Sequence, residues 1–250
     1  MSNSLYYQKM TGQGIFNFIL IHNAGGDHNF FFYQAEILKL FGNIYFLDLP
    51  GHGNSPVQPN NRIEDSANIV EHVIQENNLD KVILVGLNNG ANVAIETYQK
   101  NHQAIKKLIL IDPPLFLENG FVSEIKQFIQ ALAIEDSYEQ FVGGLVDELL
   151  EHSTDQNKNI ARAAFLKVDK ASLQDMFASL IEWDKSVVNK LKNIKCPVLC
   201  IVTDEHHCSF DKLKLYAPNF TVGKVIGSKC WATLEVPEQI NAMISRFLNM

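Results

Sequence analysis

Apolar residues along the chain gather into short, nearly continuous runs bounded by turn-forming residues. Five stand out, at 16–22 (FNFILIH), 43–49 (NIYFLDL), 81–86 (KVILVG), 106–112 (KKLILID) and 197–203 (PVLCIVT). Runs that do not alternate polar with apolar residues predict strands buried on both faces, as in a parallel sheet covered by helices. A sixth run at 220–227 (FTVGKVIG) is weaker. Between the strands, apolar residues recur at helical spacing over 29–41, 62–77, 92–101 and 236–250, with Pro237 suited to a first helical turn. Strand and helix therefore alternate, which predicts an α/β class with right-handed crossovers. Residues 115–190 break the rhythm, carrying several helical patterns and no strand. We expect one domain over 1–250 with these helices inserted between two strands. Placed over the C-terminal edge of the sheet, they would form a cap; simple packing is the plainer role for the same helices.

Composition narrows the partners. The chain has 250 residues, 46% of them apolar, enough for a sizeable core. Its net charge is -7 and no Lys/Arg cluster stands out, which argues against nucleic acid or an anionic membrane as a partner. The start, MSNSLYYQKM, lacks an apolar signal core and no stretch is long enough to span a bilayer, so a cytoplasmic location is expected. Cys196, Cys200, Cys208 and Cys230 match neither a zinc ribbon nor a disulfide framework, and read as reduced thiols packed as small hydrophobes.

Several motifs then fall in one order: LIHNAGG after the first strand, D-x-P-G-H-G-x-S at Asp48 to Ser55 after the second, and VGLNNGA after the third. The helical insertion, CPVLCIVTDEHH and VIGSKCWATLEVPEQI follow. This order resembles the α/β-hydrolase superfamily, within it the esterase/lipase-like members with a helical cap, over nearly the whole chain. The resemblance implies an α/β-hydrolase fold, with a mostly parallel central sheet flanked by helices. It also implies a nucleophile, an acid and a histidine on three loops, the nucleophile on a strained turn between two glycines. Gly86 and Gly90 fit that turn, but the nucleophile position holds Asn88, the acid position His206 and the histidine position Cys230. The oxyanion donors would be the backbone N–H groups of Ala24 and Asn89.

All three triad positions thus depart from the family while the scaffold motifs remain. A carboxamide is not activated by losing a proton at neutral pH; Asn does suit strained backbone. Deamidation of Asn88 to Asp would still want a base at position 230. Cys230 beside His206 could hold a thiolate, and Asp204, His206, His207, Cys208 and Cys230 are plausible metal ligands. Adjacent His206 and His207 would point apart in an extended segment, so no metal is assigned, nor any cofactor. His22 and His52 read as scaffold bonded to backbone. His28 is placed near the pocket entrance as a ligand contact, and Trp231, Phe116, Phe121 and Trp183 are candidate cavity walls. The resulting expectation is a family member that binds a small, largely apolar molecule without ordinary serine-hydrolase turnover. Its rivals are a hydrolase of a small ester, thioester or amide using Cys230 and His206 or a metal, and a protein-interaction module.

Overall fold

The computed structural model describes residues 5–134 and 138–250 and sets the apolar runs side by side in one seven-stranded sheet. Its strands are β1 (Tyr7–Met10), β2 (Phe16–Ile21), β3 (Gly42–Leu47), β4 (Val82–Leu87), β5 (Ile105–Ile111), β6 (Val198–Val202) and β7 (Thr221–Lys224). The spatial order is β1-β3-β2-β4-β5-β6-β7. β1 runs antiparallel to β3, and every other neighbouring pair is parallel. All residues of β4 and β6 are buried, as continuous apolar strands covered on both faces must be.

Helices α1 (Ala35–Lys39), α2 (Ile63–Glu76) and α3 (Asn89–Lys100) connect the first five strands. Among the described residues five helices then intervene between β5 and β6: α4 (Asn119–Ile134), α5 (Tyr138–Leu149), α6 (Asp155–Lys167), α7 (Lys170–Asp184) and α8 (Val187–Asn193). The chain closes through α9 (Phe210–Tyr216), α10 (Ala232–Glu235) and α11 (Pro237–Leu248). The part of the expected helical segment that falls on 135–137 lies outside the described residues. Among the described residues no helix is long and apolar enough to cross a membrane.

The elements differ from the pattern in instructive places. The single helix expected over 29–41 is a 3-10 turn at 28–34, non-helical at Phe31 (φ -110°, ψ 15°), followed by the short α1. That break lets Phe30 and Phe31 both reach the core while Phe32 stays 60% exposed. β1 escaped notice because a four-residue strand with half-buried ends carries little periodicity. The run at 220–227 pairs only over Thr221–Lys224, a sheet edge with mostly exposed side chains.

Polar contacts pin the insertion to the strand ends. The Asp184 carboxylate accepts from the backbone N–H groups of Phe116 and Leu117, each at 2.8 Å, and so holds Phe116 at its positive φ of 60°. Trp183 Nε1 donates to Glu96 on α3 at 2.9 Å, and Asp169 N–H donates to the Gly51 carbonyl at 2.9 Å.

Candidate functional site

The C-terminal ends of β2, β4 and β5 meet the loops that follow β6 and β7 beneath the inserted helices. β4 passes into α3 through one residue, Asn88, at φ 45° and ψ -117°. Residues with a side chain rarely adopt positive φ, and Asn does so more readily than most. Asn88 N–H donates to the Ile111 carbonyl and Ala91 N–H donates to the Asn88 carbonyl, both at 2.8 Å. A Cβ on Gly86 would sit 2.4 Å from the Gly90 carbonyl oxygen, and one on Gly90 would sit 2.2 Å from that of Ile21. The turn therefore needs both glycines for close approach of helix to strand.

The side chain of Asn88 is held by a residue that the sequence reading did not single out. Asp112 follows β5 directly, at φ 48° and only 1% exposed. Asn88 Nδ2 donates to the Asp112 backbone carbonyl at 3.1 Å and to its Oδ2 at 3.0 Å. Thr203 Oγ1 lies 3.0 Å from Asp112 Oδ1 and 2.7 Å from the Lys229 carbonyl. A hydroxyl has one proton to give, so Thr203 donates to one of these two acceptors at a time. Burial pushes Asp112 up to about 7, against the bonds from Thr203 and Asn88 that hold it down. A lone carboxyl directly after the apolar run Leu108–Ile111 was the signal in the sequence.

This pKa has a consequence for stability. The folded chain binds more protons than the unfolded chain between the ordinary 3.8 and about 7. Stability contributed at low pH is therefore lost as pH rises through that window, by on the order of 4 kcal/mol at most. Denaturant unfolding of Asp112→Asn should show a flatter stability curve between about pH 4 and 7 than the parent chain.

Cys230 reaches the same cavity on the loop after β7. Glu235 Oε2 braces that loop by accepting from Trp231 N–H at 3.1 Å and the Ser228 hydroxyl at 2.6 Å. Burial first, then the carboxylates of Asp112 and Glu235, push the Cys230 thiol well above its usual range, which keeps it protonated at neutral pH. His206 turns elsewhere. Its Nδ1 lies 3.0 Å from the Thr203 carbonyl and its ring meets Phe210 edge-on at 4.8 Å. No hydrogen bond joins His206 to Cys230 among the described residues, so the expected contact between them is not formed. The next residue, His207, lines the cavity instead and stacks on Phe121 of α4 at 3.7 Å. Among the described residues no group of three or more His, Cys, Asp or Glu side chains is placed to hold a metal ion.

The remaining histidines shape the loops. Leu49 N–H donates to His22 Nε2 at 2.9 Å, so His22 Nδ1 carries the proton and donates to the Asn23 carbonyl at 2.7 Å. Gly25 N–H donates to His52 Nε2 at 3.1 Å, and His52 Nδ1 donates to the Pro50 carbonyl at 2.8 Å. Burial lowers both histidines, His52 to about 3, and keeps them neutral. His28 does not line the cavity. Its Nδ1 bonds Asp48 Oδ1 at 2.8 Å, which raises its pKa, and its ring packs against Tyr6 at 5.8 Å.

The cavity encloses about 310 Å³. Its floor is Asn23, Ala24, Asn88, Asn89, Cys230 and Trp231, and its walls from the insertion include Phe121, Ile125, Phe128, Phe165, Phe177 and Leu180. Phe165 lies so close over Gly25 (φ 81°) that a Cβ there would be 2.2 Å from its ring, and it packs on Trp231 at 5.7 Å. Phe116 and Trp183, expected here, lie elsewhere: Phe116 against Tyr216 at 5.8 Å, and Trp183 buried beside Glu96. The backbone N–H groups of Ala24 and Asn89 donate to nothing among the described residues, and the buried Asn89 Nδ2 is unpartnered. The floor is thus largely polar and uncharged beneath a mostly apolar vault, into whose wall Glu124 and His207 also enter.

Known proteins agree with this architecture. A Haemophilus influenzae protein named "Putative esterase/lipase" is 26% identical over 239 residues, covering 92% of this chain and 82% of its own. Among solved structures, one reported in a study of carboxylesterases from Nitrososphaera gargenis superposes with a TM-score of 0.86 at 17% identity, covering 99% of this chain and 96% of that one. A bromoperoxidase from Bacillus anthracis does so with a TM-score of 0.85 at 15% identity, covering 98% of this chain and 95% of that one. At such identities the likeness is one of fold, and the two names show how little fold says about chemistry. The family model described as serine aminopeptidase, S33, matches residues 17–219, and the chain belongs to that family of α/β-hydrolase proteins.

Proposed function

We propose that this chain is a member of its family with all three triad positions replaced, which binds a small, largely apolar molecule in the cavity without ordinary serine-hydrolase turnover. The observation that carries the reading is Asn88. It occupies the strained turn between Gly86 and Gly90, and its amide nitrogen is committed to Asp112. No hydroxyl or thiolate stands there, and a carboxamide does not attack a carbonyl at neutral pH. The inserted helices act as a cap over the bound molecule, and Ala24, Asn89 and Trp231 contact it. The rival thiol hydrolase asks Cys230 to ionise without a partner histidine, against burial and two nearby carboxylates. The interaction-module reading leaves the cavity without a role.

Intrinsic fluorescence tests the binding. The chain has two tryptophans; Trp231 lines the cavity and Trp183 does not. At about 30 Å³ per water-sized group, the cavity holds roughly ten heavy atoms. At about 0.5 kcal/mol each they give a Kd of hundreds of micromolar or tighter. Titration with uncharged apolar molecules of that size should produce a saturable change in emission that Trp231→Phe abolishes. A flat response to the whole series would remove the reading.

A further inference from the structure

The hydrogen-bond pattern around Asn88 selects the head group of the bound molecule, an inference that rests on the binding reading above. Asn88 Nδ2 has two protons, and each has an acceptor: the Asp112 backbone carbonyl at 3.1 Å and the Asp112 carboxyl at 3.0 Å. The first acceptor is a peptide carbonyl, which cannot titrate. The amide is therefore held in one orientation whatever the charge on Asp112. Oδ1 is left as the open edge of a side chain that lines the cavity, and it has no partner among the described residues. On the same floor the N–H groups of Ala24 and Asn89 also lack partners among the described residues. The floor thus presents the acceptor Asn88 Oδ1 beside backbone donors, with a second, fully buried unpartnered oxygen at Asn23 Oδ1; Glu124 brings a carboxylate to the wall, and no Lys or Arg side chain lines the cavity.

We infer that the cavity takes an uncharged ligand with a primary carboxamide head and an apolar tail, the carbonyl oxygen meeting the Ala24 and Asn89 N–H groups and the amide N–H meeting Asn88 Oδ1. An ester or ketone offers only acceptors and leaves Asn88 Oδ1 dry and unpaired beneath it, which costs more than the bond itself would contribute. A carboxylate sets its charge against Oδ1 with no cation to answer it. The replacement at position 88 thereby changes the floor from one suited to an acyl carbonyl alone into one that reads a donor and an acceptor side by side.

The test uses three probes of equal length: octanamide, 2-nonanone and octanoate. The first two differ only in NH2 against CH3. Affinities are measured on the full chain by calorimetry or Trp231 emission, beside Asn88→Gly, which removes the carboxamide while glycine accepts the positive φ. Octanamide should bind about tenfold tighter than 2-nonanone, although its head group is the better hydrated in water. Asn88→Gly should erase or invert that ratio, because it removes the acceptor that the amide meets and that 2-nonanone leaves unpaired, so 2-nonanone should bind the variant more tightly than the parent chain. Equal or tighter binding of 2-nonanone to the parent overturns the head-group inference and leaves the binding reading intact. Tightest binding of octanoate overturns it in favour of an anion site. An amide preference that persists in Asn88→Gly also overturns it, since the discrimination then lies elsewhere. Binding of none of the three overturns this inference and the reading on which it rests.

Discussion

The double variant Asn88→Ser, Cys230→His should hydrolyse short activated esters at a rate on the order of 10² to 10³ times that of the parent chain. The scaffold for that chemistry is already built. The turn at position 88 holds a strained backbone between two glycines that admit no side chain. The N–H groups of Ala24 and Asn89 have no partners among the described residues and line the same cavity floor. The Asp112 carboxyl bonds the side chain at 88 and acts electrostatically on the group at 230, so it stands where it can orient an imidazole introduced there. A hydroxyl at 88 supplies the nucleophile, an imidazole at 230 takes its proton, and the two free N–H groups receive the developing oxyanion. Groups that act as a unit are strongly non-additive, so each single variant should stay within a few-fold of the parent. Steady-state turnover of p-nitrophenyl acetate and butyrate by the four chains decides the matter. A folded double variant no faster than its singles would mean that Asp112 cannot orient the new base.

The second large effect is on folding. Gly90→Ala places a methyl group 2.2 Å from the Ile21 carbonyl oxygen and 2.5 Å from that of His22. Both atoms are backbone of a central strand and its exit, so neither can swing aside as a flexible side chain would. Overpacking a core typically costs about 1–3 kcal/mol, and a rigid obstacle puts this substitution at or above the top of that range. For a chain of this size the Tm should fall by about 10 °C or more, or the variant should not accumulate in folded form. Gly143→Ala is the matched control. It lies inside α5, and a Cβ there meets nothing within 4 Å. That change should stabilise by up to about 1 kcal/mol through helix propensity alone. Thermal unfolding of the two variants side by side separates steric demand at the turn from a general intolerance of glycine replacement.

The fold was legible because its signals are long and redundant. Uninterrupted apolar runs such as the one that becomes β4 have few other uses, and turn motifs follow each at the strand ends. The site was less legible, for physical reasons that differ by residue. Asp112 announces itself only as a carboxyl after an apolar strand; nothing local says that Asn88, 24 positions away, will bond it. His206 and His207 are neighbours in sequence, and which one turns toward the cavity depends on where Phe121 and Phe210 lie. His28 bears a strong partner in Asp48, whose carboxylate the motif supplies for the turn and not for a ligand. The cavity walls come from amphipathic helices whose apolar faces are marked by their period. Which of those side chains border empty space and which fill it is a property of packing alone.

The most direct test of the account is turnover of a panel of short activated esters and thioesters by the parent chain, Asn88→Ala and Cys230→Ala under one protocol. The account predicts rates indistinguishable from the uncatalysed background for all three, with the parent still binding small apolar molecules at Trp231. Turnover by the parent that Cys230→Ala abolishes would contradict it and establish a hydrolase working through the thiol.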